Sequence, residues 1–241
     1  EILSKEFQPE RLTQLANVND NFAEFLRGIG ILGPNGIGKT TFIKLLAGIE
    51  KPTKGKAIDV KEFTISYKPQ YILTNYSGSV QSLLMSIAKE KFEEENFIKD
   101  VIEPLRLVKL FDRPIEVLSG GELQRVAIAI CLLKDGDVYI FDEPSSHIDV
   151  NQRLQVAKAI RSLKDEEKTV ILAEHDLAML DYLSDQVCII YGEPGVYGVV
   201  SHPYGVKVGI NVYLNGYIPD ENMRFRPYAI RFHIKPPKEV K

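Results

Sequence analysis

Nine consecutive residues, Gly33, Pro34, Asn35, Gly36, Ile37, Gly38, Lys39, Thr40 and Thr41, are of the types needed to hold a chain of phosphates. Glycines at 36 and 38 let the backbone close so that its N–H groups surround a β-phosphate, and a helix starting here adds the positive end of its dipole. Lys39 then bridges β and γ oxygens, and the Thr40 hydroxyl becomes a ligand for Mg²⁺. A chance glycine turn would lack the context. The run follows the apolar residues Ile29, Ile31 and Leu32 and leads into Phe42, Leu45 and Leu46 at helical spacing.

Two further groups have the chemistry to complete such a site. The stretch Asp137, Val138, Tyr139, Ile140, Phe141, Asp142 is an apolar strand that ends in a carboxylate, and Glu143 adds a second one. Ligands of parallel α/β sheets bind at this end of the strands. Asp142 is therefore expected to hold Mg²⁺ through water, and Glu143 to polarise the water that attacks the γ-phosphate. Alone, a strand ending in Asp-Glu reads as a surface feature; behind a phosphate loop it reads as machinery. Ser119, Gly120, Gly121 and Glu122 open the most amphipathic helix of the chain and form either a good N-cap or a second phosphate-binding helix start. One nucleotide does not need two such starts, so the second points to another nucleotide.

These residues require strands that end at a common edge and helices that begin there. Apolar runs at 29–32, 63–67, 138–141, 169–173 and 187–191 are the strand candidates. Leu123, Val126, Ala127, Ile130 and Cys131 give one helix an apolar face, and Leu154, Ala157, Ile160 and Leu163 give the next a weaker one. The alternation implies an α/β fold with a mostly parallel sheet flanked by helices. Residues 79–117, with Val80, Leu83, Leu84 and Ile87 helically spaced, read as an inserted helical subdomain continuing to about 135, and the charged run 89–95 as its solvated face. Residues 1–28 are of uncertain placement, more helix than strand. From about Gly205 the pattern breaks into Gly, Pro and aromatic residues, which predicts a domain spanning 29–215 and an extended, hinge-like basic tail over 216–241.

Composition sets the outer limits. The chain has 241 residues, 44% hydrophobic and 26% charged, which excludes disordered and disulfide-scaffold classes. With 30 basic and 33 acidic side chains the formal charge is −3, so the chain does not coat nucleic acid by bulk charge. No apolar stretch approaches the roughly 18–20 residues of a membrane span, and residues 1–10 lack the apolar core of a signal peptide, so a cytoplasmic location without membrane insertion is expected. Cys131 and Cys188, each inside an apolar run, read as buried free thiols.

Taken in order, the phosphate loop, Gln70 after a strand, the run 118–125, Asp142 with Glu143, residues 146–149 and His175 at the end of a strand resemble the motifs of ATP-binding-cassette nucleotide-binding domains. The resemblance implies that family's P-loop fold and an ATPase with ATP and Mg²⁺ as cofactors, active as a sandwich with a second cassette, from the same protein or a second copy. It further implies that Gln70 senses the γ-phosphate and the metal, that residues 119–122 contact ATP on the opposing cassette, and that His175 touches the γ-phosphate. Ile148 stands where many members carry Leu.

Within that family the runs 67–72, 142–146, 191–198 and 216–227 are similar to the ribosome-recycling twin ATPases, the RNase L inhibitor family. This implies conformational work on the ribosome, with the small subunit and release or recycling factors as partners, and makes 216–227 the hinge leaving the first cassette. Three features depart from it: the 67–72 region looks more like the second cassette whereas 191–227 looks like the first, the helix-loop-helix insertion before Gln70 is missing, and residues 1–28 lack the two strands and adenine-stacking aromatic usual before the phosphate loop. A transporter ATPase docking a coupling helix onto 79–117, and an interaction module with little turnover, are the alternatives. The intact Glu143 and His175 argue against the second. Arg224, Arg226, Arg231, Lys235, Lys238 and Lys241, interleaved with Phe225, Tyr228 and Phe232, either meet RNA or the partner cassette or lie on their own domain.

Overall fold

The apolar runs pair into one sheet. The computed structural model describes residues 28–54, 63–70, 76–165 and 168–231; the expectations for residues 1–27, for the end of the 67–72 run and for the tail beyond 231 fall outside these. The strands are β1 Gly28–Leu32, β2 Ile65–Lys68, β3 Val138–Asp142, β4 Thr169–Ala173, β5 Gln186–Glu193, β6 Tyr197–Val200 and β7 Tyr204–Gly205. Their spatial order is β2-β3-β4-β1-β5-β6, with β7 also on β5. Neighbours among β1 to β5 run parallel, whereas β6 and β7 are antiparallel to β5. The register sets Lys68 beside Phe141, Asp142 beside Ala173, and Ala173 beside Ile31, so β2, β3, β4 and β1 deliver their C-terminal ends to one edge.

Helices cover both faces: α1 Lys39–Leu46, α2 Val80–Ile87, α3 Lys89–Glu93, α4 Gly120–Leu133, α5 Val150–Asp165, α6 Leu177–Leu183 and α7 Val206–Asn215. Strand alternation decides which residue meets which face. Ile31, Ile140, Ala173 and Ile190 pack with Ile37, Phe42 and Ile43 of the phosphate loop and α1. Leu32, Tyr139, Phe141, Val170, Leu172, Val187 and Ile189 join the larger core on the opposite face, built with α4, α5 and α6. Each such fully buried side chain stabilises the fold by roughly 1.5–3 kcal/mol. Gly30 lets α6 approach β1: a β-carbon there would lie 2.5 Å from Leu180 Cδ2 and 2.7 Å from Ser184 Oγ.

Between β2 and α4 lies the helical insertion, with Leu84, Phe92, Phe97, Val101, Ile102, Leu105 and Leu107 as its core. Phe92 meets Phe111 edge-on at 5.7 Å, while its charged neighbours face solvent. Along α5, Ala157, Ile160 and Leu163 are buried, but Leu154 stays half-exposed.

Two expectations need correction. β2 begins at Ile65, not at 63, because the Thr64 backbone turns aside to Asp137: Thr64 N donates to Asp137 Oδ2 at 2.9 Å, and Thr64 O accepts from Asp137 N at 2.8 Å. Beyond Gly205, still within the 29–215 span read as the domain, the chain forms α7, and it is the tail after it that departs from expectation. Val206, Val208, Ile210 and Val212 alternate like a strand, yet the bare Cα of Gly209 lets a helix lie against Val187 and Tyr204. Gly216, at φ 67°, ends it, and a hairpin of β8 Tyr217–Ile218 and β9 Met223–Arg224 follows. Phe225 then packs 6.2 Å from both Tyr191 and Tyr213, so this part of the segment read as hinge-like lies on its own domain. Among the described residues no helix is long and apolar enough to cross a membrane.

Candidate nucleotide site

β1 runs into the phosphate loop, and the loop into α1. Gly36 and Gly38 adopt φ 74° and 103°, which residues with a β-carbon resist, and Gly38 is the N-cap of α1 with no side-chain cap. The helix start is thus left to backbone N–H groups. Ile37 is buried and anchors the loop to the sheet, Pro34 is half-buried, and Asn35 and Thr41 are exposed. Lys39 is buried, with Nζ donating to Gly33 O and Pro34 O, both at 3.0 Å. Burial pulls its ammonium below the usual lysine range, against the opposing pull of Glu143, Asp142 and Glu174.

Asp142 closes β3 with its carboxylate fully buried; the Thr40 hydroxyl is its neighbour, yet neither oxygen makes a well-formed hydrogen bond among the described residues. Burial raises its pKa; the Thr40 hydroxyl, Lys68 and Lys39 favour the charged form, and Glu143 opposes it. A buried carboxylate without well-formed hydrogen bonds is costly unless a cation completes it. Among the described residues no group of three or more His, Cys, Asp or Glu is placed to hold a metal ion by itself. Asp142 with Thr40 and Gln70 nevertheless fits Mg²⁺, a hard cation that draws most of its shell from phosphates and water.

Glu143 follows in a left-handed conformation, φ 47°. Its Oε1 is 3.3 Å from His175 Nε2, and its Oε2 accepts from Ser146 Oγ at 3.0 Å. Burial pushes this carboxyl up, but hydrogen bonds from Gln70 and Ser146 and the proximity of His175 and Lys39 outweigh it, leaving the pKa below the ordinary value. Gln70 is held from behind, its carbonyl accepting from Gln124 Nε2 at 3.2 Å. The edge therefore unites Lys39, Thr40, Gln70, Asp142, Glu143 and His175, residues that in sequence lie far apart.

Ser119, Gly120, Gly121 and Glu122 belong to a different neighbourhood. They form a capping box: Glu122 N donates to Ser119 Oγ at 3.4 Å, while Glu122 Oε2 accepts from Ser119 N at 2.9 Å. The two bonds that Glu122 Oε2 accepts, from Ser119 N and then from Ser119 Oγ at 2.7 Å, hold Glu122 below its ordinary range, and Arg113 adds an ion pair at 3.0 Å. Gly121 rests on the loop after Glu143, where a β-carbon would stand 2.6 Å from His147 O.

Sequence reasoning missed two residues behind this edge. Lys68 is fully buried with its pKa pulled down to about 8 by burial, and Glu174 is a buried carboxylate that accepts from the backbone N–H groups of Ser145, His175 and Asp176. A lysine beside a proline in a short strand and a glutamate beside a histidine carry no signal of burial in a single sequence.

Comparison with known proteins agrees with the geometry. Residues 25–146 match the ABC transporter family. An uncharacterized ABC transporter ATP-binding protein of Methanocaldococcus jannaschii is 50% identical over 77% of the chain and 31% of its own length. Translation initiation factor RLI1 of Saccharomyces cerevisiae is 46% identical over 86% of the chain and 38% of its own length. The solved structure of an archaeal ribosome recycling factor, aABCE1, in complex with the ribosomal stalk protein aP1 superposes with a TM-score of 0.76 at 47% identity, covering 84% of this chain and 40% of that one. The chain thus spans well under half the length of these relatives. A sheet edge carrying a phosphate loop, a buried aspartate and a glutamate–histidine pair, in a sequence matched to that family across half its length, makes this chain a member of the ABC transporter family and one of its ATP-binding cassettes.

Proposed function

We propose that the chain binds MgATP at the β1–α1 loop, closes on a second cassette, hydrolyses the ATP and uses the closing and reopening for translation-linked ribosome recycling. The observation that carries the reading is the Glu143–His175 pair set beside Lys39 and Asp142 at one sheet edge. Bound MgATP supplies the scissile β–γ phosphoanhydride bond and a cation that draws negative charge from it. The residues 33–41 cradle the phosphates through their N–H groups. Lys39 leaves the Gly33 and Pro34 carbonyls for the β and γ oxygens, and Thr40, Gln70 and Asp142 hold the cation. Glu143, kept ionised by its neighbours, accepts a proton from the attacking water, and His175 holds that carboxylate and meets the γ-phosphate. Ser119 and Gly120, exposed at the start of α4, and the half-buried Gly121 and Glu122 face the nucleotide of the second cassette.

Similarity to translation and recycling factors over 84–86% of the chain supports the ribosomal half of this reading. The small ribosomal subunit and release or recycling factors are its partners, in the cytoplasm. Co-sedimentation of Glu143→Gln chains with purified ribosomal small subunits in MgATP tests it. Retention that requires ATP is expected; recovery with membrane transport proteins instead, and none with ribosomal subunits, overturns it.

A further inference from the structure

Two buried side chains of opposite charge, Lys68 within the 67–72 run and Glu174 beside His175, take no part in the chemistry described above. Lys68 ends β2 at 1% exposure, and Glu174 follows β4 at 2%. Burial of either charge is costly unless hydrogen bonds answer it. Both are answered by backbone, and most of that backbone belongs to the short segment around Glu143. Lys68 Nζ donates to Asp142 O at 2.9 Å and to Glu143 O at 3.4 Å. Glu174 Oε2 accepts from Ser145 N at 3.1 Å, while its Oε1 accepts from His175 N at 2.8 Å and Asp176 N at 3.2 Å. The glutamate also attracts the lysine.

The segment between them needs holding. Glu143 sits at φ 47°, where its β-carbon crowds the backbone, and such residues persist only when their surroundings fix them. Packing does not explain the lysine, because an apolar side chain of the same length would fill the core as well without the desolvation cost.

We propose that Lys68 and Glu174 are positioning residues for the Glu143–His175 pair. The lysine fixes the two carbonyls at Asp142 and Glu143; the glutamate ties the amide of Ser145 to that of His175, so the loops after β3 and β4 move as one body. Neither side chain touches the nucleotide. Both act through Glu143 and His175, and the role rests on the hydrolysis reading above.

Lys68→Met and Glu174→Gln keep length and shape while removing the ammonium or one carboxylate oxygen. They are compared with the unmodified chain and Glu143→Gln in three measurements: turnover at concentrations that allow pairing, ATP affinity by calorimetry, and amide hydrogen exchange without nucleotide. Turnover should fall roughly 10- to 100-fold, as expected of misplaced reacting groups, with affinity held within about 3-fold. Exchange should rise at Ser145 and His175 while amides within β3 and β4 keep their protection. Unchanged turnover in Lys68→Met overturns the proposal. Should that variant not fold, unchanged turnover in Glu174→Gln, with Ser145 and His175 still protected, overturns it as well. A chain without turnover that Glu143→Gln abolishes refutes the hydrolysis reading instead, and the exchange data then decide whether the two residues hold the loops.

Discussion

His175 Nε2 lies 3.3 Å from Glu143 Oε1, although the two residues follow different strands, β4 and β3. The adjacency comes from register, since Asp142 and Ala173 are direct partners across the ladder and each residue of the pair lies just beyond. Ser146 holds the second carboxylate oxygen, which leaves Glu143 ionised and aimed.

Glu143→Gln retains this shape but cannot accept a proton. Turnover should drop roughly 10²- to 10⁴-fold while ATP still binds. Phosphate release measured beside calorimetric binding checks both halves; retained turnover would assign the proton to another group.

Lys39→Ala removes the ammonium now held by Gly33 O and Pro34 O. ATP affinity should weaken about 10-fold or more, as charged hydrogen bonds are lost. The contacts of residues 119–122 with Arg113 and His147 leave the Ser119 end exposed for a facing cassette. Mixing Lys39→Ala with Ser119→Arg chains should therefore restore part of the activity, because one composite site remains whole. No rescue, with specific activity independent of chain concentration, would place completion of the site within one chain.

The parts legible in sequence were those whose chemistry is local. The phosphate loop, the Asp142–Glu143 strand end and the Ser119 cap each announce themselves within a few residues, and the alternation of strands and helices follows from periodicity. What was hidden depends on tertiary contact. α7 alternates with period two in sequence, and its close packing on β5 at Gly209 is not visible there. Lys68 and Glu174 look like surface charges until the sheet places them against backbone. Arg226 reads either as a contact for RNA or the partner cassette or as part of a segment lying on its own domain, and its Nη2, which donates to Tyr213 O at 2.5 Å and Leu214 O at 2.8 Å, follows the last of these by closing the C-terminus of α7.

Arg226→Ala should accordingly act on stability. Loss of charge-assisted bonds to two helix-end carbonyls costs on the order of 1–3 kcal/mol, and each kcal/mol lowers the melting temperature by roughly 2–4 °C at this size. Arg231, which is exposed, serves as the control, and its alanine variant should melt like the parent. A parent-like melting curve for Arg226→Ala would return that guanidinium to the pool of binding residues.

Cys131 and Cys188 are buried free thiols whose pKa values burial pushes from 9.0 to about 12. In the unfolded chain they ionise near 9.0, whereas the folded state keeps both protons up to about 12. The unfolded state thus binds fewer protons across that window, and stability falls as pH rises through it, by about 1.4 kcal/mol per pH unit for each thiol. Denaturant midpoints measured between pH 9 and 12 should decline less steeply in the Cys131→Ala, Cys188→Ala double variant. Parallel slopes would refute the assignment.

The position of β1 in the sheet has a consequence for biosynthesis. β1 ends at Leu32, yet its partners are β4, which starts at Thr169, and β5, which starts at Gln186. A chain emerging from its N-terminal side therefore carries its phosphate loop without the strands that flank it until residues 169–193 have followed. Closing so long a loop is slow, and an unpaired apolar strand invites misassociation. Nascent chains halted before β4 should bind no nucleotide, and competence should arrive abruptly once β5 clears the exit. Acquisition of ATP binding is then a late and cooperative event, a built-in proof that the cassette has been completed.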